Sequence, residues 1–414
     1  MENVKEFKLA NGLTILIDED ENTPLVTVNL LYKVGSKNES ESKTGFAHLF
    51  EHFMFEGSKN IKHFDSHLQK AGGSNNAFTS KDLTNYYETL PATNIETALW
   101  LESDRMLELD FNQKSLDTQI SVVCEEFKQN YLNKPYGDVW FLISELCYKV
   151  HPYKWPTIGK ELAHIQAITL QDTKDFFYTY YRPNNAILSI VGGVKAAELL
   201  PQIEKWFGDI PKGKPINRML PTEPKQTVAR FLEVERDVPQ SVLYKAYHAC
   251  SRTHKDYYTA DVLTDILGTG ASSQLYQKFI DETDLCTEID CFISGTDDEN
   301  LIVIEAKPED NISLKQLDVA LEAFLAKFVN EKIKERELQK VVNKTCNYIA
   351  FSNETHTNKA FNLAYFKMID AMHLYNNEQE TYQKVNTKDV QRVAQEVFRA
   401  ENCSTLYYQK KNNE

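Results

Sequence analysis

Apolar and polar residues alternate on either side of Asn11-Gly12, from Phe7 to Leu9 and from Leu13 to Ile17. That dipeptide favours the tight turn of a β-hairpin, so the chain is predicted to open with two paired strands. Ala186-Ile187-Leu188-Ser189-Ile190-Val191 reads as a further strand, stopped by Gly192-Gly193, and others are predicted around Ala229 to Val234 and Ser241 to Tyr247. Apolar spacings of three and four predict helices within Thr44 to Phe55 and over Ser115 to Gln129, the second with Ile120, Val123 and Phe127 as its inward stripe. Between the two groups of strands, Gly208 to Gln226 carries four prolines and two glycines without apolar periodicity. Such a stretch reads as a linker.

The halves on either side of it read as a diverged repeat. Ala47 to Met54 lies opposite Ala260 to Leu267, with matching apolar positions and different polar ones. Asn184 to Leu188 likewise resembles Glu401 to Leu406. A period near half the chain implies duplicated domains. The boundaries expected are 1–210, a linker at 211–226, and 227–414. Strands and helices mix without regular alternation, so the class is α+β, each domain an antiparallel sheet covered on one face by helices.

Composition narrows the function classes. The 414 residues exceed one ordinary core, and 22 Phe with 21 Tyr exclude a disordered chain. A formal charge of −14 disfavours nucleic acid and anionic membranes, is compatible with cationic or peptide substrates, and suggests tolerance for basic residues in such peptides. The seven cysteines are scattered without a CxxC pair, which fits small core residues in a reducing compartment. No run approaches the roughly 20 apolar residues of a membrane span, and no basic-then-apolar leader precedes the hairpin. The expected address is cytoplasmic, or periplasmic if a leader has been removed.

The chemistry concentrates in His48-Leu49-Phe50-Glu51-His52. On a helix, residues four apart lie nearly above one another, so two imidazoles on successive turns can grip one metal ion. Glu51 projects about 60° from His48 and can take a proton from water at the metal without being a ligand. This H-x-x-E-H order is a zinc-hydrolase signature. Catalytic zinc takes three protein ligands and keeps one position open. The helix over Ser115 to Gln129 offers Glu125 and Glu126. Glu126, beside Phe127 and three after Val123, turns toward the buried stripe, where a carboxylate is costly unless a cation meets it. Glu126 is the expected third ligand, with one Zn²⁺ per chain.

The motif, the acidic helix and the two similar halves together resemble the pitrilysin/insulinase family of inverted-motif zinc peptidases. The length resembles its two-chain, processing-peptidase-like branch. Gly72-Gly73-Ser74-Asn75-Asn76-Ala77-Phe78-Thr79 is similar to the family's substrate-binding edge strand, and Tyr181 to Ala186 to the segment closing its first domain. The resemblance implies that Asn76 and Ala77 bind a peptide added as an extra strand and that Phe78 lines a side-chain pocket. It places the ligand glutamate on Glu126, and implies a half-clamshell whose enclosed chamber admits short or unfolded peptides. Gln119 stands where the family usually has a glutamate tuning the metal site.

A second departure concerns the oxyanion. Active single-chain members carry an Arg and a Tyr seven residues apart in the second half, and here those positions hold Ile280 and Thr287. The implied partner is a homologous chain that supplies the pair, in a heterodimer. The alternatives are a homodimer using another donor such as Tyr247 or His248, and a non-catalytic scaffold subunit. His63 and His67 also sit four apart but lack a glutamate at the third offset, so a second metal site is not expected there.

Overall fold

The Asn11-Gly12 turn forms with Gly12 at φ +96°, the left-handed region its missing Cβ permits. It joins β1 (Val4–Lys8) to β2 (Thr14–Glu19) in an antiparallel pair with Lys8 opposite Thr14. The structure is a computed structural model and describes residues 4–411. Contacts divide the chain into two units. One comprises the chain up to Gln129, Trp155–Leu220 and Ala350–Asn376; the other comprises Asn130–Lys154, Pro221–Ile349 and the chain from Asn377 on.

The first unit adds β3 (Leu25–Tyr32), β4 (Ser74–Thr79), β5 (Thr84–Pro91) and β6 (Ala186–Gly192), in the order β1-β2-β6-β3-β5-β4. The second holds β7 (Arg230–Arg236), β8 (Val242–Ala249), β9 (Cys286–Ile293), β10 (Asn300–Pro308) and β11 (Cys403–Lys410), in the order β7-β11-β8-β10-β9. Removing β1 leaves the same pairing pattern in both: one parallel pair, β2 with β6 and β7 with β11, followed by three antiparallel pairs. The helix Phe46–Phe53 follows β3 as Tyr257–Gly268 follows β8, and β6 corresponds to β11. The diverged repeat is therefore visible in the topology. No helix or strand occurs between Phe207 and Arg230, the region predicted to be a linker.

Two features go beyond the expected α+β class. Each sheet contains a parallel pair, because long helix-bearing connections separate β2 from β6 and β7 from β11. Also, the central strands are covered on both faces: every residue of β6 is buried. The cover of the second face comes from a trade of segments. The helix Val139–Cys147 precedes the linker but packs on β7, β8 and β11, with Val139, Ile143 and Cys147 clustered against Val242, Ala246 and Leu406. The helix His356–Met368 packs on β3 and β6, with Ala360, Leu363 and Ala364 against Leu16, Leu31, Ile187 and Val191. The Ser189 hydroxyl donates to the Ala360 carbonyl at 2.6 Å. Boundaries at 1–210 and 227–414 follow the chain, whereas the units exchange one helix-bearing segment each. Local periodicity shows that a helix has an apolar face, not which sheet receives it.

All seven cysteines are free, and five are buried. Among the described residues, no helix is long and apolar enough to cross a membrane.

Candidate metal centre

The helix Phe46–Phe53 starts from Gly45 at φ +85°, a conformation that suits glycine. A Cβ there would come within 2.6 Å of the Ile158 carbonyl oxygen. No Gly45 side chain can cap the helix, and Glu39 does so from six residues upstream. Its Oε2 accepts from the Gly45 N–H at 2.9 Å and its Oε1 from the Ala47 N–H at 2.7 Å. Two of the helix's orphan donors are thereby satisfied by the Glu39 carboxyl, whose pKa burial pushes up to about 8 against the opposing effect of these backbone hydrogen bonds. Glu39→Ala is expected to destabilise the metal-free chain by about 2 kcal/mol, read by urea unfolding. No measurable change would remove the capping role.

Phe46, Ala47, Leu49, Phe50 and Phe53 form the buried face of this helix, with the Phe50 ring against Phe176, Phe177 and Tyr181. Burying that face fixes the helix's rotation and leaves His48, Glu51 and His52 on the other side. The two imidazoles lie 4.9 Å apart, centroid to centroid, at 80°. Burial, with a smaller contribution from neighbouring His52, lowers His48 to about 4, so at neutral pH it is the uncharged imidazole that ligates metals.

The second helix runs Gln113–Phe127, capped by the Asn112 side chain on the Ser115 N–H, and buries Leu116, Val123, Cys124 and Phe127. Ile120, expected in that stripe, is half-buried. Glu126 turns toward the histidines: its Oε2 lies 3.8 Å from His48 Nε2 and 3.6 Å from His52 Nε2. Glu125 points to solvent and pairs with Lys128 at 2.6 Å. One ligand atom from each of His48, His52 and Glu126 lies within 4.8 Å of the others, and this is the one such cluster among the described residues. Atoms about 2.0–2.1 Å from a shared tetrahedral ion stand roughly 3.3 Å apart, close to the separations to Glu126. The donor set of two imidazoles and a carboxylate suits zinc, and the fit is good.

Glu51 stands beside this cluster. Its Oε2 accepts from the Thr79 hydroxyl at 2.5 Å, a contact that the sequence does not disclose. Burial raises its pKa above the usual carboxylate value; the Thr79 hydrogen bond opposes that rise.

Gln119 lies one face-repeat before Glu126, but its side-chain amide donates to Glu56, and its Oε1 is buried without a partner, as is His48 Nδ1. Asn76, Ala77 and Phe78 lie on β4, an edge strand that pairs only with β5. The Ala77 N–H is met by the Asn76 side chain at 2.8 Å. Phe78 is partly exposed and packs its ring 5.3 Å from that of Phe361, on the helix received from the second half. His67 packs against Trp100 rather than joining a second ligand cluster. In the second unit, Ile280 sits in the helical turn Gln277–Glu282, and the Thr287 hydroxyl accepts from Gln240 at 3.1 Å. Tyr247 and His248 are buried, with His248 Nε2 at 3.1 Å from the Cys147 carbonyl.

Residues 14–154 match the model described as Insulinase (Peptidase family M16), and residues 167–345 the model described as Peptidase M16 inactive domain. The chain is 31% identical to the zinc protease PqqE of Helicobacter pylori over 406 residues, covering 96% of this chain and 91% of that protein. It is 28% identical to the mitochondrial-processing peptidase subunit beta of Saccharomyces cerevisiae over 268 residues, 63% of this chain and 57% of that one. The crystal structure of a protease from Helicobacter pylori superposes with a TM-score of 0.92 at 30% identity, covering 98% of this chain and 99% of that chain.

Proposed function

This chain belongs to the M16 (insulinase) family of zinc peptidases, and from that premise we propose that it is the zinc-bearing subunit of an endopeptidase acting on short or unfolded peptides. The observation that carries the proposal is the convergence of His48, His52 and Glu126 from two separate helices, with Glu51 alongside. These three residues would hold the ion. Zinc, when bound, acts as a Lewis acid toward the scissile carbonyl and makes water a nucleophile at neutral pH. Glu51, held on Oε2 by Thr79, takes the proton of the attacking water and returns it to the leaving amine. Strand β4 offers its free edge to the peptide backbone. Backbone pairing tolerates many sequences, and side chains on alternate positions, Phe78 among them, set the preference.

The chain's own second half supports no Arg/Tyr pair, since Ile280 and Thr287 occupy those positions. A homologous chain therefore supplies the donors that stabilise the tetrahedral oxyanion. Its relative from yeast is itself named as a subunit. The purified, zinc-loaded chain is expected to hydrolyse quenched fluorescent peptides weakly or not at all, and to gain about 10²–10³-fold with a homologous chain from the same genome. Full activity from the chain alone would overturn the division of labour. No hydrolysis in either state, with zinc bound, would favour the scaffold reading.

A further inference from the structure

We propose that Thr79 is a positioning residue for peptide hydrolysis: from the end of β4 its hydroxyl orients the Glu51 carboxylate, tying the base to the strand that receives the peptide. The inference rests on the reading of Glu51 as general base.

Glu51 belongs to an eight-residue helix and reaches the centre through a flexible side chain. Among the described residues no Lys or Arg pairs with it, so no salt bridge fixes its rotamer. The Thr79 hydroxyl has one proton, and donates it in a short hydrogen bond to Oε2 at 2.5 Å. The other oxygen, Oε1, is thereby set apart as the one that accepts a proton.

Thr79 is well placed to hold that orientation. Its backbone is fixed opposite Thr84 at the end of the β4–β5 pair, where the Ser80 N–H closes the turn onto the Leu83 carbonyl at 2.8 Å. Its β-branched side chain has few rotamers. By the two-residue period of a strand it shares a face with Ala77, away from the exposed Phe78. The helix Phe46–Phe53 packs against β4, so a peptide that pairs along the free edge stiffens the element on which the base is hung.

The test uses the catalytically competent complex of this chain with its homologous partner. Thr79→Val keeps the shape and branching and removes the donor; Thr79→Ser keeps the donor. For Thr79→Val, kcat is expected to fall about ten- to a hundredfold, with KM within about twofold and zinc affinity, by chelator competition, unchanged. Thr79→Ser is expected within about threefold of the parent. Equal losses in both variants, or unchanged kcat in Thr79→Val, would overturn the proposal. So would a raised KM with kcat kept, which would place the hydroxyl in peptide binding. Glu51→Gln assayed in parallel separates the two ideas: an inactive Glu51→Gln beside a fully active Thr79→Val sinks the Thr79 role alone, whereas an active Glu51→Gln sinks the base assignment first.

Discussion

Glu51→Gln is expected to retain zinc and to lose peptide hydrolysis, with kcat down about 10²–10⁴-fold, the usual worth of a positioned general base. The substitution preserves shape, and its amide oxygen can still accept from Thr79, so the helix Phe46–Phe53 keeps its place. Its buried face of Phe46, Leu49, Phe50 and Phe53 is untouched. Metal retention is expected because the proposed ligand atoms belong to His48, His52 and Glu126. The amide has no basic electron pair for the water's proton, so the loss falls on kcat rather than on KM. The measurements are zinc per chain by atomic absorption and turnover of a quenched peptide by the complex. Retained turnover would remove Glu51 from its role; lost zinc would move it into the ligand set.

The neighbouring glutamates give the second large effect. Glu126→Ala takes one of three ligands, and apparent zinc affinities of about 10–16 kcal/mol over four ligands imply roughly 3 kcal/mol for each. Affinity is therefore expected to drop about a hundredfold. Glu125→Ala should leave it within about twofold, because that carboxylate faces solvent and pairs only with the exposed Lys128. Chelator competition on both variants provides the contrast. Equal losses, or none for Glu126→Ala, would break the assignment of the third ligand.

The contrast between the two glutamates is legible in the chain itself, from Glu126's position beside Phe127 on a helix with an inward stripe. Legible too are the Asn11-Gly12 hairpin, the strand ending in Gly192-Gly193, the proline-rich linker, and the kinship of Ala47–Met54 with Ala260–Leu267. Apart from that kinship, which compares two halves of the chain, these are short-range signals: a turn dipeptide, a two- or four-residue period, a breaker cluster. The contacts that complete the centre are of another kind. Thr79 meets Glu51 across 28 positions, and a hydroxyl's partner leaves no periodic trace. Glu39 caps a helix whose own N-cap is glycine, so the usual Ser, Thr, Asp or Asn signal is missing from position 45. Gln119 is placed beside the centre only by family resemblance, and its hydrogen bond to Glu56, 63 positions away, likewise leaves no local trace. The parallel pairs β2–β6 and β7–β11 and the trade of helices are decided by tertiary burial, which a one-dimensional pattern does not encode.

The trade of helices bears on how the protein is made. During synthesis the first sheet is complete once β6 has emerged, yet Leu16, Leu31, Ile187 and Val191 stay wet until Ala360, Leu363 and Ala364 leave the ribosome. At about 5–20 residues per second that wait lasts roughly 10–35 s, with an apolar sheet face open to chaperones or to misassociation. A recombinant fragment ending near residue 210 would carry both histidines and Glu126 and still lack the cover for that face, so aggregation rather than a soluble catalytic half is its expected fate.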